Sequence, residues 1–106
     1  MKVRFVNGEN SGVVRSFSGS QISIGREDGN DIQLLSGGVS RYHACLNCGP
    51  DKVWRIVDLD STNGVKINDR AVIGDSAIAP GDKIVVGEQI MEIVEVEAQK
   101  GGISPA

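Results

Sequence analysis

Positive charge is in short supply in this 106-residue chain: eleven Lys and Arg stand against fourteen Asp and Glu, a formal net charge of −3. A general nucleic-acid binder needs a basic face to meet the phosphates, so the deficit excludes that class. Any anion must be bound locally. Long apolar runs are missing too, and no segment approaches transmembrane length. The opening Met1-Lys2-Val3-Arg4-Phe5-Val6 reads directly as a strand, without the apolar core and small-residue cleavage site of a signal peptide. The expectation is a cytoplasmic protein that does not engage a membrane.

Chemistry-bearing side chains are equally sparse. There are two cysteines, Cys45 and Cys48, and their Cys-x-x-Cys spacing invites a zinc or redox reading. Zinc needs two more ligands, and the only imidazole is His43. If Ala44 to Cys48 is extended, thiols three residues apart point to opposite faces, so buried or half-buried free thiols are the expectation, with no metal and no cofactor. The single histidine also argues against an enzyme. Ser40 with His43 and Asp58 or Asp60 matches a catalytic triad in composition only, without a nucleophile elbow or oxyanion glycines. His43 is instead expected to brace loops by hydrogen bonds. Threonine occurs once, at Thr62.

What is present describes an ordinary globular domain. Hydrophobic residues make up 40% and charged residues 24%, and fourteen glycines imply many turns. Short β-like segments recur at spacings of about eight to twelve residues, the pattern of an all-β sandwich or barrel. Strands are expected near Lys2 to Val6, Val13 to Phe17, Ile22 to Ile24, Ile32 to Leu34, Ala44 to Asn47, Val53 to Asp58, Val65 to Ile67, Arg70 to Val72, Asp75 to Ala77, Lys83 to Val86 and Ile90 to Val96. Two-fold alternation around Ala44 and Leu46, and around Trp54 and Ile56, predicts an antiparallel pair joined across Cys48 to Lys52. In the last strand, Met91 and Ile93 fall out of phase with Val94 and Val96. A β-bulge or local twist is expected between them, or burial on both faces. One domain over 1–97 is expected, followed by a polar, glycine-rich tail or linker over 98–106.

Three polar loops carry the functional signal. Arg26 follows a strand and Gly25, and its guanidinium can fork onto a phosphate or pair with the neighbouring Glu27, Asp28 and Asp31. Ser40 and Arg41 follow the loop Ser36-Gly37-Gly38 and can offer a hydroxyl and a second cation, or Ser40 can simply cap a turn. In Leu59-Asp60-Ser61-Thr62-Asn63-Gly64, Thr62 can donate a hydroxyl to an anion or bond the local backbone. Asn63-Gly64 is a common tight-turn pair, yet a loop-tip amide can also hold the backbone of an extended peptide.

The runs Ile24-Gly25-Arg26, Asn30-Asp31-Ile32, Val39-Ser40-Arg41-Tyr42-His43-Ala44, Trp54 to Gly64, Ile67-Asn68, Pro80 to Ile84 and Val86-Gly87 together resemble the forkhead-associated (FHA) domain in order and spacing, from Ile22 to about Ile93. The resemblance implies an eleven-stranded antiparallel β-sandwich whose loops at one end bind phosphothreonine in an extended peptide of a partner protein, itself a Ser/Thr kinase substrate. It assigns Arg26 and Ser40 as principal phosphate ligands, Thr62 and Arg41 as auxiliaries, Asn63 as the holder of the ligand backbone, and Gly25, His43 and Gly64 as architectural support. It also implies a signalling module; because Thr62, the only threonine, would lie in the pocket, the domain is expected to be monomeric in isolation. A phosphate-independent FHA-like interaction or assembly scaffold is the alternative. Val65 stands where the family often has threonine, and Asp69 where it usually has glycine after Asn68; the latter touches a turn, not the pocket.

Overall fold

In the computed structural model, which describes residues 1–96, the chain folds into eleven strands: β1 Lys2–Phe5, β2 Val14–Ser16, β3 Gln21–Gly25, β4 Ile32–Gln33, β5 Ala44–Cys48, β6 Trp54–Asp58, β7 Val65–Ile67, β8 Arg70–Ala71, β9 Asp75–Ala77, β10 Lys83–Val86 and β11 Gln89–Glu95. The segment 98–106, with Glu97, lies outside the described residues. Two sheets form, in the orders β2-β1-β11-β10-β7-β8 and β4-β3-β5-β6-β9. Every strand sits within a residue or two of its expected place.

Alternation decides which side faces the core. Ile22 and Ile24 of β3, Ala44 and Leu46 of β5, and Trp54 and Ile56 of β6 point inward from one sheet, and Val3, Phe5, Val65, Ile84, Val86, Met91 and Ile93 meet them from the other. Burying each large aliphatic side chain contributes about 1.5–3 kcal/mol, so this two-sided core dominates the fold's stability. The phase change in β11 is a bulge. Lys2 pairs with Glu95 but Val3 pairs with Ile93, leaving Val94 as the extra residue. Cys45 is buried beneath Gln21 and Asn47, whereas Cys48 is half-buried against the core, and both are free thiols.

One feature departs from the expected all-antiparallel sandwich: β3 and β4 run parallel, with Ile24 opposite Ile32 and Gly25 opposite Gln33. Side-chain bonds fold the short connection back on itself. Ser23 N donates to Asp31 Oδ2 at 2.9 Å while Asp31 N donates to Ser23 Oγ at 2.9 Å. Leu34 N then donates to Gly25 O at 2.8 Å, launching the chain again toward the same end of the sandwich. The consequence is functional. The β3–β4, β4–β5 and β6–β7 loops all gather at that end, here called apical, beside the β10–β11 turn.

Candidate functional site

Gly25 ends β3 where the apical loops meet. A methyl group there would lie 2.8 Å from Asn30 Nδ2 and 2.9 Å from the carbonyl carbon of Arg41, closer still to that carbonyl's oxygen, so only glycine lets the two loops close together. Arg26 follows, exposed, with its N–H donating to Ser40 O at 3.0 Å and its Nε to Val39 O at 3.2 Å. The second bond aims the guanidinium, while its two terminal nitrogens keep no protein partner among the described residues. Glu27, Asp28 and Asp31 do not pair with it. Asp31 is turned to Ser23, and the ion pairs among the described residues are Lys2–Glu95, Arg4–Glu92 and Arg55–Asp51.

His43 organises the second loop. It is fully buried, and its Nδ1 accepts from Ser40 N at 3.0 Å. That nitrogen therefore holds the lone pair, and Nε2 donates to Gly64 O at 2.8 Å. With both nitrogens engaged by backbone and no exposed surface, the ring braces two loops and can touch no substrate. Ser40 is thereby fixed on three sides: its amide by His43, its carbonyl by Arg26, and its Oγ as acceptor from Thr62 N at 3.2 Å. Accepting at Oγ leaves the hydroxyl proton of Ser40 free to donate outward.

Thr62 and Asn63 are exposed at the tip of the β6–β7 loop. The loop's own backbone is capped by neighbours: Ser61 N donates to Asp58 Oδ1 at 3.0 Å and Gly64 N to Ser61 Oγ at 2.9 Å, with Gly64 at φ +76°. Ser61, not Thr62, takes the local capping role, so the Thr62 hydroxyl has no partner among the described residues. Asn63 Nδ2 donates to Gly38 O at 2.9 Å, stitching its loop to the Ser36-Gly37-Gly38 segment. Arg41 is exposed; its carbonyl accepts from Glu27 N at 3.2 Å and Asn30 Nδ2 at 3.0 Å, and its guanidinium has no partner among the described residues. The structure thus brings Arg26, Ser40, Arg41, Thr62 and Asn63 onto one surface.

Other supports escaped the sequence reading. Asp58 and Ser61 cap the loop at i, i+3 spacing, a signal visible in Asp58-x-x-Ser61-x-x-Gly64. Asn30 clamps Glu27 O at 2.8 Å and Arg41 O at 3.0 Å. Buried Gln89 donates to Asn7 O at 3.0 Å and accepts from Ser36 Oγ at 3.3 Å, anchoring the β10–β11 turn, and no local pattern announces that contact.

Comparison with known proteins agrees with this fold. The family model of the FHA domain matches residues 22–87. The FHA domain-containing protein At4g14490 of Arabidopsis thaliana is 32% identical over 92 residues, covering 83% of this chain and 24% of that protein, so the chain spans about a quarter of that relative's length. A structure from a structural and functional analysis of phosphothreonine-dependent FHA domain interactions superposes with a TM-score of 0.78 at 26% identity, over 91% of this chain and 96% of that one. Mycobacterium tuberculosis EmbR, in complex with a low-affinity phosphopeptide, gives 0.76 at 26% identity over 91% of this chain and 25% of its own. With the family model spanning well over half its length, the chain belongs to the FHA family, a non-catalytic binding module on an eleven-strand β-sandwich.

Proposed function

We propose that the apical loops bind phosphothreonine in an extended segment of a cytoplasmic partner protein. One observation carries the reading: in a chain of net charge −3, two exposed arginines lie beside each other's loops with no carboxylate partner among the described residues. Arg26 forks onto the phosphate, whose charge of about −1.5 to −2 rewards a paired donor. Ser40 donates its free hydroxyl proton, Arg41 adds a second cation and Thr62 a second hydroxyl. Asn63 keeps its Oδ1 and one N–H for the ligand backbone. Gly25, His43 and Gly64 hold these groups in register. Thr62 is the only threonine and sits in the site, so the ligand comes from another protein or from chain outside these 106 residues. The domain acts as a monomer.

The test is calorimetry with matched peptides, phosphorylated and not, drawn from an oriented phosphothreonine library. Two charge-assisted bonds of about 1.5–3 kcal/mol each predict at least a roughly hundredfold preference for the phosphorylated form. Equal affinities would replace this reading with a phosphate-independent scaffold.

A further inference from the structure

Two Asn-Gly pairs occur in the chain, Asn7-Gly8 and Asn63-Gly64, and the fold holds them differently. Such a pair is chemically labile: with no Cβ on the glycine, its main-chain nitrogen can reach the asparagine Cγ and displace the side-chain amide. At Asn7 the carboxamide is locked on both of its polar atoms. Nδ2 donates to Glu88 O at 3.0 Å, and Oδ1 accepts from Gln89 Nε2 at 3.1 Å and from Ile90 N at 2.9 Å. Turning Cγ toward Gly8 breaks all three bonds. Asn63, exposed at its loop tip, is tied once, by Nδ2 to Gly38 O at 2.9 Å, and its Oδ1 has no partner among the described residues. A second bond restrains the attacking atom: Gly64 N donates to Ser61 Oγ at 2.9 Å, and attack requires that proton to leave.

We infer that Asn63 is a site of spontaneous deamidation, gated by the Ser61 hydroxyl, and that its conversion disables the apical surface. In the step, a bond forms between Gly64 N and Asn63 Cγ while the Cγ–Nδ2 bond breaks. The Gly64 amide proton departs with the leaving group as ammonia, and a cyclic imide remains. Water then opens the imide, at Cγ to give aspartate or at the main-chain carbonyl to give isoaspartate, so the balance is amide plus water to acid plus ammonia with no redox change. Aspartate places a carboxylate oxygen where Nδ2 donates to Gly38 O, setting two acceptors against each other. Isoaspartate adds an atom to the main chain and displaces Gly64, whose carbonyl is held by buried His43 at 2.8 Å. Either product also brings a negative charge next to Thr62. The effect on binding rests on the phosphothreonine reading above, since a phosphate beside Thr62 would meet that charge; the deamidation itself does not.

The experiment incubates the intact chain at physiological temperature and mildly alkaline pH, and follows both asparagines by mass spectrometry of proteolytic peptides. The urea-unfolded chain, in which both pairs react without their partners, sets the baseline. Relative to it, Asn63 in the folded protein should convert about fivefold faster than Asn7 or more, because three bonds must break at Asn7 against two at Asn63–Gly64. Ser61→Ala should speed Asn63 by about fivefold again and leave Asn7 unchanged, the rate at Asn7 serving as the check that the fold is intact. Equal conversion of the two asparagines in the folded protein, or an Asn63 rate that Ser61→Ala does not alter, overturns the inference. Calorimetry then compares wild type with Asn63→Asp and with the converted fraction, both of which should bind a phosphothreonine peptide at least about tenfold more weakly. Undiminished affinity in either overturns the disabling effect. Unconverted wild type that does not distinguish phosphorylated from unphosphorylated peptide refutes the phosphothreonine reading instead, and the mass measurements judge the deamidation independently of it.

Discussion

The two ends of the sandwich employ their polar side chains differently. At the distal end three charged side chains, those of Asp51, Arg55 and Asp82, close turns. Asp51 accepts from Arg55 at 2.9 and 3.3 Å and from Val53 N at 3.1 Å, and the Arg55 guanidinium first of all holds its carboxyl below the ordinary carboxylate range. Asp82 accepts from Asn68 Nδ2 at 2.9 Å and Ala79 N at 2.8 Å, while Asn68 Oδ1 takes Lys83 N at 3.0 Å. At the apical end, neutral groups do the tying: His43, Asn30, Ser61 and Asn63. The carboxylates of Asp31 and Asp58 are occupied by backbone amides, and Arg26 and Arg41 are left over. Asp51, Arg55 and Asp82 are thus spent on turns of the fold, whereas the guanidinium groups of Arg26 and Arg41 have no carboxylate partner among the described residues.

The largest expected effect breaks the neutral brace. His43→Ala leaves a buried cavity and strips partners from Ser40 N and Gly64 O, so urea denaturation should show a loss of about 3–4 kcal/mol, with amide NMR shifts displaced at both residues. Next comes Gly25→Ala, expected to cost about 2–3 kcal/mol because the new methyl meets Arg41 backbone rather than a movable side chain. Gly29→Ala in the same loop is its control. Nothing lies within 4 Å of a methyl there, so stability should hold or rise slightly.

Smaller effects sharpen the contrast. A peptide with phosphothreonine should bind about fourfold more tightly than its phosphoserine twin, as expected for one buried methyl worth about 0.8 kcal/mol; equal Kd values would contradict a methyl contact. At the distal end, Asn68 and Asp69 form a two-residue hairpin loop with φ +49° and +70°, the left-handed region that favours glycine. Asp69→Gly should raise stability by about 0.5 kcal/mol and leave peptide affinity unchanged.

Much of this was legible in the sequence because strand periodicity and turn chemistry are local. Alternation around Ile22, Ala44, Leu46 and Ile56 marks the core face, and the misphased Met91, Ile93 and Val94 announce the bulge. Direction is not local: nothing in Ile32-Gln33 says that β4 runs parallel to β3, because Ser23 and Asp31 decide it by bonding to each other. In the site, the motif order pointed to Arg26, Ser40, Arg41, Thr62 and Asn63, and the structure gathers them. The supports were harder to see. Asn7 and Gln89 lie 82 residues apart, and the contact of Gly37 with Gly87 and Glu88 exists only after both sheets have formed. Asn63 also turned out to hold Gly38 with one donor, a role invisible until the loops meet.

The central claim is that the apical arginines are kept for a ligand while Arg55 belongs to the fold. Calorimetry and thermal melting on Arg26→Ala beside Arg55→Ala test it most directly. Arg26→Ala loses one half-buried bond to Val39 O, about 1 kcal/mol of stability, yet should abolish phosphopeptide binding, with Ser40→Ala weakening it less by about 1 kcal/mol or more. Arg55→Ala should bind as wild type and melt slightly earlier. Near-wild-type affinity in a folded Arg26→Ala domain, or an equal loss of affinity in Arg55→Ala, would contradict the account.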